Sequence, residues 1–350
     1  MHHLTRLLGV ELPIVQAPMA GVQGGALAAA VSGAGGLGSI PCAMLDANAV
    51  RGEVALVRER TPAPFNLNFF CHQPPEPDAE REARWRALLA PYYEELGIDP
   101  AANAAGASRT PFDETSAALL EELRPAVVSF HFGLPSPELL ARVRATRARI
   151  LSSATTVDEA RWLESHGVDA IIAQGAEAGG HRGMFLTRDA STQIGTFALV
   201  PQIARAVRVP VIAAGGIADA DGVAAALSLG AAGVQVGTSY LLCPEATTSA
   251  PHRAALSGDA ARETALTNLF SGGPARGIVN RLMREIGPMS EDLPAFPLAS
   301  AALAPLRAAA ERAGRGDFSP LWAGQNASGC SARPAAELTR ALMPAPGRTS

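Results

Sequence analysis

The chain contains no lysine; all 29 of its basic residues are arginine. Schiff-base chemistry on a lysine amine, the basis of class I aldolases and of pyridoxal-phosphate enzymes, is therefore excluded. Aromatic residues are scarce at 5% of the chain, so Ala, Val, Leu and Ile must fill most of the core. The four cysteines, Cys42, Cys71, Cys243 and Cys330, show no CxxC spacing, which argues against a structural zinc site or a disulfide framework. No basic tract accompanies the net charge of −4, so nucleic acid is not an expected partner. No apolar run approaches the roughly 20 residues of a membrane span, and Met1 to Val10 lacks the regions of a signal peptide. The cytoplasm is the expected address, with no membrane partner.

What is present fits a large α/β domain. Hydrophobic residues make up 48% of 350, enough for one large barrel with an appendage. Short apolar runs predict strands at Pro13–Ala17, Leu37–Ile40, Phe65–Phe69, Val127–Phe130, Arg149–Ala154, Ala170–Gln174, Val211–Ala214 and Gly233–Val236. Helical patterns lie between most of them: Gly24–Ser32, Asn48–Arg60, Glu114–Leu123, Pro137–Ala145, Val157–His166, Val200–Val207 and Asp219–Leu229. This alternation predicts a parallel (β/α)8 TIM barrel. Asp219 is placed to cap its helix and Pro201 to occupy a first turn. Residues 1–243 are the expected barrel, interrupted at 71–111 by an insertion with a helix over Asp78–Leu96. That insertion suits either a lid or a helix packed beside the barrel. Residues 244–350 are expected as a C-terminal helical region, including Thr264–Leu269 and Ala302–Arg312.

Several strand ends carry chemistry. Ala213-Ala214-Gly215-Gly216-Ile217 joins a buried strand to a helix, where glycines admit a ligand close to the backbone and helix amides favour phosphate. Some twenty residues on, Gln235-Val236-Gly237-Thr238 again runs from strand to turn, and in barrels the last two such loops often share one phosphate. The segment Gln174–Gly183, with Gly179 and Gly180 before His181, suits a loop wrapped on a planar ligand. Pro18 and Met19, after the first strand, form a stiff turn able to support a flat ring. Asn68 ends the third strand with an amide that both donates and accepts. His131 ends the fourth, on the face where barrels place catalytic groups.

The segments Pro13–Val22, Ser129–Pro135, Gln174–Met184, Pro210–Asp219 and Ala232–Thr238, in this order, resemble the nitronate monooxygenases; Ser271–Gly287 and Leu321–Gln325 are matches of lower specificity. The resemblance implies non-covalent FMN in a barrel and oxidation of alkyl nitronates, notably propionate 3-nitronate, by molecular oxygen. It implies His131 and His181 near flavin and substrate. It implies FMN contacts from Asn68, Gln174, Gly179, Gly216 and Gln235, Val236, Gly237 and Thr238, to which Pro18, Met19, Gly180 and Gly215 are added as neighbours. No metal is required. Relatives can carry Tyr and Lys near the substrate pocket, whereas Pro294–Arg307 here has neither; Arg182 or Arg281 are the alternative sources of positive charge. Similar glycine motifs occur in FMN-dependent enoyl-acyl-carrier-protein reductases, which use NAD(P)H, and these form the competing enzyme class. A third class, a non-catalytic flavin or phosphate binder, fits less well, since both histidines are present. An IMP-dehydrogenase-like reading fails because no cysteine follows the sixth strand to act as nucleophile.

Overall fold

Runs such as Val211-Ile212-Ala213-Ala214 are apolar on both faces, which fits burial as central parallel strands. The computed structural model, which describes residues 3–99 and 109–344, places them so. Its strands are β1 (Ile14–Gln16), β2 (Gly38–Pro41), β3 (Phe65–Phe70), β4 (Val127–His131), β5 (Arg149–Ala154), β6 (Ala170–Gln174), β7 (Gly180–His181), β8 (Val211–Ala214), β9 (Gly233–Val236), β10 (Thr264–Thr267) and β11 (Ala275–Ile278). Eight of them form one parallel sheet in the order β1-β9-β8-β6-β5-β4-β3-β2. A parallel bridge pairs Val15 with Leu37. Gln16 N donates to Leu37 O and Leu37 N to Ile14 O, both at 2.9 Å, which closes the sheet into a barrel. The intervening helices bury one face each on the strands, in a continuous layer of Leu, Ile, Val and Ala.

Local chemistry fixes the helix starts. Asp46, Asp113, Thr156 and Asp219 each accept a backbone N–H of the first turn, as N-caps do. One helix starts earlier than its sequence suggests. It spans Thr196–Ala206, so Pro201 lies in its interior and not in its first turn. The Glu177 carboxylate accepts from Thr196 N (2.8 Å) and Thr196 Oγ1 (2.7 Å), so a residue from a distant loop sets this start.

The C-terminal region is not purely helical. The segment expected as a helix at Thr264–Leu269 begins with β10, which pairs antiparallel with β11. β11 also pairs with β7, making a three-stranded sheet. Four residues are too few to reveal a period, and the pairing partner lies beyond a turn at Gly272 (φ 86°). The helix Ser300–Arg312 forms nearly as expected. It packs against the insertion helix Ala79–Glu95, whose Trp85, Leu89, Tyr92 and Tyr93 are buried with Leu303, Leu306 and Phe318. Trp85 Nε1 donates to Ala299 O (3.0 Å) and Tyr93 Oη to Ala302 O (2.6 Å), so both polar tips are satisfied. Part of the expected 71–111 insertion, residues 100–108, lies outside the described residues. The last helix, Ala335–Ala341, buries Ala335 and Leu338 in the barrel's own core. Among the described residues no helix is long and apolar enough to cross a membrane.

Candidate active site

The C-terminal ends of the strands open into one cavity. Pro18, Met19, Asn68, His131, Gln174, Gly179, Gly180, His181, Gly215, Gly216, Gln235, Gly237 and Thr238 all line it. Val236, grouped with them on sequence, does not. Along β9 alternate side chains face opposite ways, so Val236 is buried in the core layer while Gln235 faces the cavity.

The register pairs Ala214 with Gln235 and so sets the turns at Gly215–Gly216 and Gly237–Thr238 side by side. One distant segment holds both turns. Asn326 Nδ2 donates to Gly216 O (3.0 Å) and Gly324 N to Thr238 Oγ1 (2.9 Å). Gly215 and Gly216 adopt φ of 121° and 72°, where a side chain is strained. The helix that follows is less open than its sequence suggests. Its cap Asp219 already takes the amide of Gly222 (2.8 Å), so ligand donors must come chiefly from the turns.

The loop after β6 is clamped on three sides. Gln174 Nε2 donates to His181 O (3.0 Å), and Gly183 N donates to Gln174 Oε1 (2.8 Å). Arg182 is 1% exposed and donates to Gly175 O, Gln174 O and Gln193 Oε1, at 2.7, 2.7 and 2.8 Å. Burial lowers its pKa to about 10, so it remains a cation at neutral pH, committed to the loop. Gly179 has no room for a side chain, because a Cβ there would sit 2.5 Å from backbone atoms of Ala323 and Gly324. Gly180 differs: φ is 72° and nothing stands within 4 Å of its missing Cβ, which leaves the cavity wall flat there.

The two histidines have distinct environments. Ser153 Oγ–H donates to His131 Nδ1 (3.1 Å), and His131 Nε2–H donates to His181 O (3.1 Å). A carbonyl only accepts, so Nε2 must carry the proton and Nδ1 must be the acceptor. Burial pushes the His131 pKa down to about 4, against a smaller upward pull from the His181 carbonyl. Both of its ring nitrogens are thus engaged, in the neutral form. His181 lies on β7, held by β11, and its Nε2 shares a hydrogen bond with Ser271 Oγ (2.9 Å). Among the described residues its Nδ1 has no partner. Burial, then the positive field of Arg109, holds its pKa well below the usual histidine range.

Aromatic rings close this end of the cavity. Phe296 lies 5.0 Å from His181 and 5.3 Å from Phe132, and Phe70 lies 5.1 Å from Phe132. Phe132 holds a left-handed backbone (φ 67°), a strained state for a bulky residue that aims its ring at this cluster. Sequence reasoning missed Ser153, Arg109 and Asn326, since each reaches the site from a remote segment without a motif of its own; Ser271, in a segment matched with lower specificity, and Phe296, in the stretch Pro294–Arg307, were given no role. It also placed spare positive charge on Arg182 or Arg281. Arg182 is committed to the loop, and Arg281 is on the surface, paired with Glu95 and Glu285 at 2.7 Å each. Among the described residues, the arginine that lines the cavity is Arg109.

A closed parallel barrel with a cavity at the C-terminal ends of its strands is the architecture of the (β/α)8-barrel enzymes. Comparison narrows it. The nitronate monooxygenase family profile matches residues 1–345, and the chain belongs to that family. It is 46% identical to a nitronate monooxygenase of Pseudomonas aeruginosa over 97% of both chains. Its fold matches a nitroalkane oxidase of Streptomyces ansochromogenes with a TM-score of 0.87 and 39% identity, over 97% of this chain and 96% of that one. It also matches FabK of Thermotoga maritima, with a TM-score of 0.73 and 26% identity over 98% and 94%.

Proposed function

We propose that this protein binds FMN and carries out the oxygen-dependent oxidative denitrification of alkyl nitronates, such as propionate 3-nitronate, in the cytoplasm. Three features of the cavity suit FMN. Gln235 Oε1 is buried without a hydrogen-bond partner. The wall at Gly180 is flat and open, and the paired turns at Gly215–Gly216 and Gly237–Thr238 suit a phosphate end. Pro18, Met19, Asn68, Gln174, Gly179 and Gln235 would border the ring. Bound FMN would supply the electron acceptor that an electron-rich nitronate needs.

The chain's own residues then have separate tasks. His181 presents an uncharged imidazole edge to the cavity, with one nitrogen that has no partner among the described residues. It orients the nitronate oxygens when protonated at that nitrogen, and removes a proton from a neutral nitroalkane when not. His131 does neither, since both its nitrogens are engaged; it is a positioning residue that fixes the His181 backbone. Phe70, Phe132 and Phe296 exclude water from the reacting end. The observation that carries this reading is the contrast between the two imidazoles, one closed and one open.

The test is oxygen uptake and nitrite release by the FMN-loaded protein supplied with propionate 3-nitronate. His181→Asn should lower kcat/KM by about 10- to 100-fold, the range for a lost hydrogen bond to a charged group. His131→Asn should act more weakly and loosen the loop. Equal loss in both variants, or none in His181→Asn, would overturn these roles.

A further inference from the structure

Arg109 lines the main cavity and also a second recess formed by His72, Pro74, Pro75, Pro297 and Ser300. It is a part-buried guanidinium at the junction of the two. Among the described residues no carboxylate pairs with it. Its one side-chain hydrogen bond there is long, from Nη1 to Ser300 Oγ at 3.5 Å, and Ser300 is itself fixed by donating to Pro297 O (2.9 Å). The guanidinium carbon stands 5.9 Å from the Phe296 ring centroid. Phe296 in turn touches His181. Arg109 is therefore one aromatic ring removed from the open histidine. Beside it, His72 Nδ1 is buried with no hydrogen-bond partner.

A guanidinium carries five donors, and among the described residues the Arg109 side chain makes one long hydrogen bond, an arrangement that costs free energy when part-buried. That cost is recovered when an anion arrives, and a planar carboxylate matches the fork of an arginine best. The nitronate head must lie at His181, so the anion at Arg109 is a second group on the same molecule. We propose that Arg109, with Ser300 and His72 beside it, is a carboxylate subsite that makes the enzyme selective for nitronates carrying a carboxylate a few bonds from the reacting carbon. This rests on the nitronate reading above and adds a specificity-determining residue to it. The same arginine supplies the positive charge that the segment Pro294–Arg307, without Tyr or Lys, does not.

The experiment compares propionate 3-nitronate with propyl-1-nitronate, which is similar in length but has no carboxylate, in the wild type and in Arg109→Gln and Arg109→Lys. The wild type should show a KM for propionate 3-nitronate at least 10-fold lower than for propyl-1-nitronate, a nitronate anion without the carboxylate. Arg109→Gln should raise the former by about 10- to 100-fold, the range for a hydrogen bond to a charged group. It should raise the KM for propyl-1-nitronate much less than that for propionate 3-nitronate, and Arg109→Lys should recover part of the difference. A second readout, calorimetric binding of succinate to the FMN-loaded protein, needs no turnover; Arg109→Gln should weaken it at least 10-fold. If neither nitronate is oxidised by the wild type but succinate binding depends on Arg109, the oxidase reading falls and the subsite stands. If Arg109→Gln changes both substrates equally or neither, or leaves succinate binding unaltered, the subsite is refuted.

Discussion

Adding one methyl group at Gly183 tests how tightly the structure holds His131. A Cβ on Gly183 would lie 2.7 Å from His131 Cε1, 3.1 Å from His131 Nδ1 and 3.0 Å from Ser153 Cβ. Ordinary carbon contacts are about 3.5–4.0 Å, so the imidazole must retreat by roughly 1 Å or the loop must lift. Either motion lengthens a bond that is now 3.1 Å, to Ser153 Oγ or to the His181 carbonyl. Overpacking of this kind costs about 1–3 kcal/mol. Because the His181 backbone hangs on His131, the displacement reaches the reacting end, where a misplacement of about 1 Å can lower turnover 100-fold. Gly183→Ala should therefore unfold at lower denaturant concentration and lose nitronate oxidation more than it loses FMN binding. Gly52→Ala is the control. Gly52 lies in the helix Ala47–Arg60 with nothing within 4 Å of a Cβ, so it should gain up to about 1 kcal/mol from helix propensity. A Gly183→Ala protein with wild-type stability and turnover would refute the packing argument.

Further outcomes follow from buried charge and its neighbours. His131 and His252 have pKa values pushed down to about 4 by burial, from 6.5 in the free side chain. Between those values the unfolded chain binds the extra protons, so this stability is fully present above pH 6.5 and is lost as pH falls toward 4. Each histidine should cost about 2 kcal/mol on going from pH 7 to pH 5. His252→Gln should flatten that slope in chemical denaturation, and an unchanged slope would contradict it. Glu159 is fully buried, and its two oxygens accept from Phe185 N (2.6 Å), Leu186 N (3.2 Å), Thr155 N (2.7 Å) and Thr155 Oγ1 (2.7 Å). Glu159→Gln turns an amide donor toward donors and should destabilise the protein by roughly 2–4 kcal/mol in the same assay; wild-type stability would show that the 184–186 segment is held by other means.

The barrel was legible because its strands are short, apolar and bounded by Gly, Pro or polar residues. Ala170–Gln174 and Val211–Ala214 have the ends their sequences suggest. The glycine turns were legible for the same reason: paired glycines at strand ends have few other uses. Legibility failed where distant segments decide. Thr196 begins its helix because Glu177 reaches it from another loop, which put Pro201 inside. Thr264–Thr267 is a strand only because Ala275–Ile278 pairs with it. Val236 was read with its neighbours, although strand alternation turns it away from the cavity. Which histidine is open could not be read from motifs, since it depends on Ser153, Ser271 and one carbonyl. Arg109 stood in no motif at all, and only the fold sets it beside Phe296.

The central claim is that this cavity passes electrons from a nitronate to bound flavin. The direct measurement is anaerobic mixing of the FMN-loaded protein with propionate 3-nitronate, and separately with NADH and NADPH, while the flavin spectrum is recorded. Rapid loss of the oxidised flavin band with the nitronate, and none with either nicotinamide, is the expected result. Bleaching by a nicotinamide with indifference to the nitronate would contradict the account and favour a reductase.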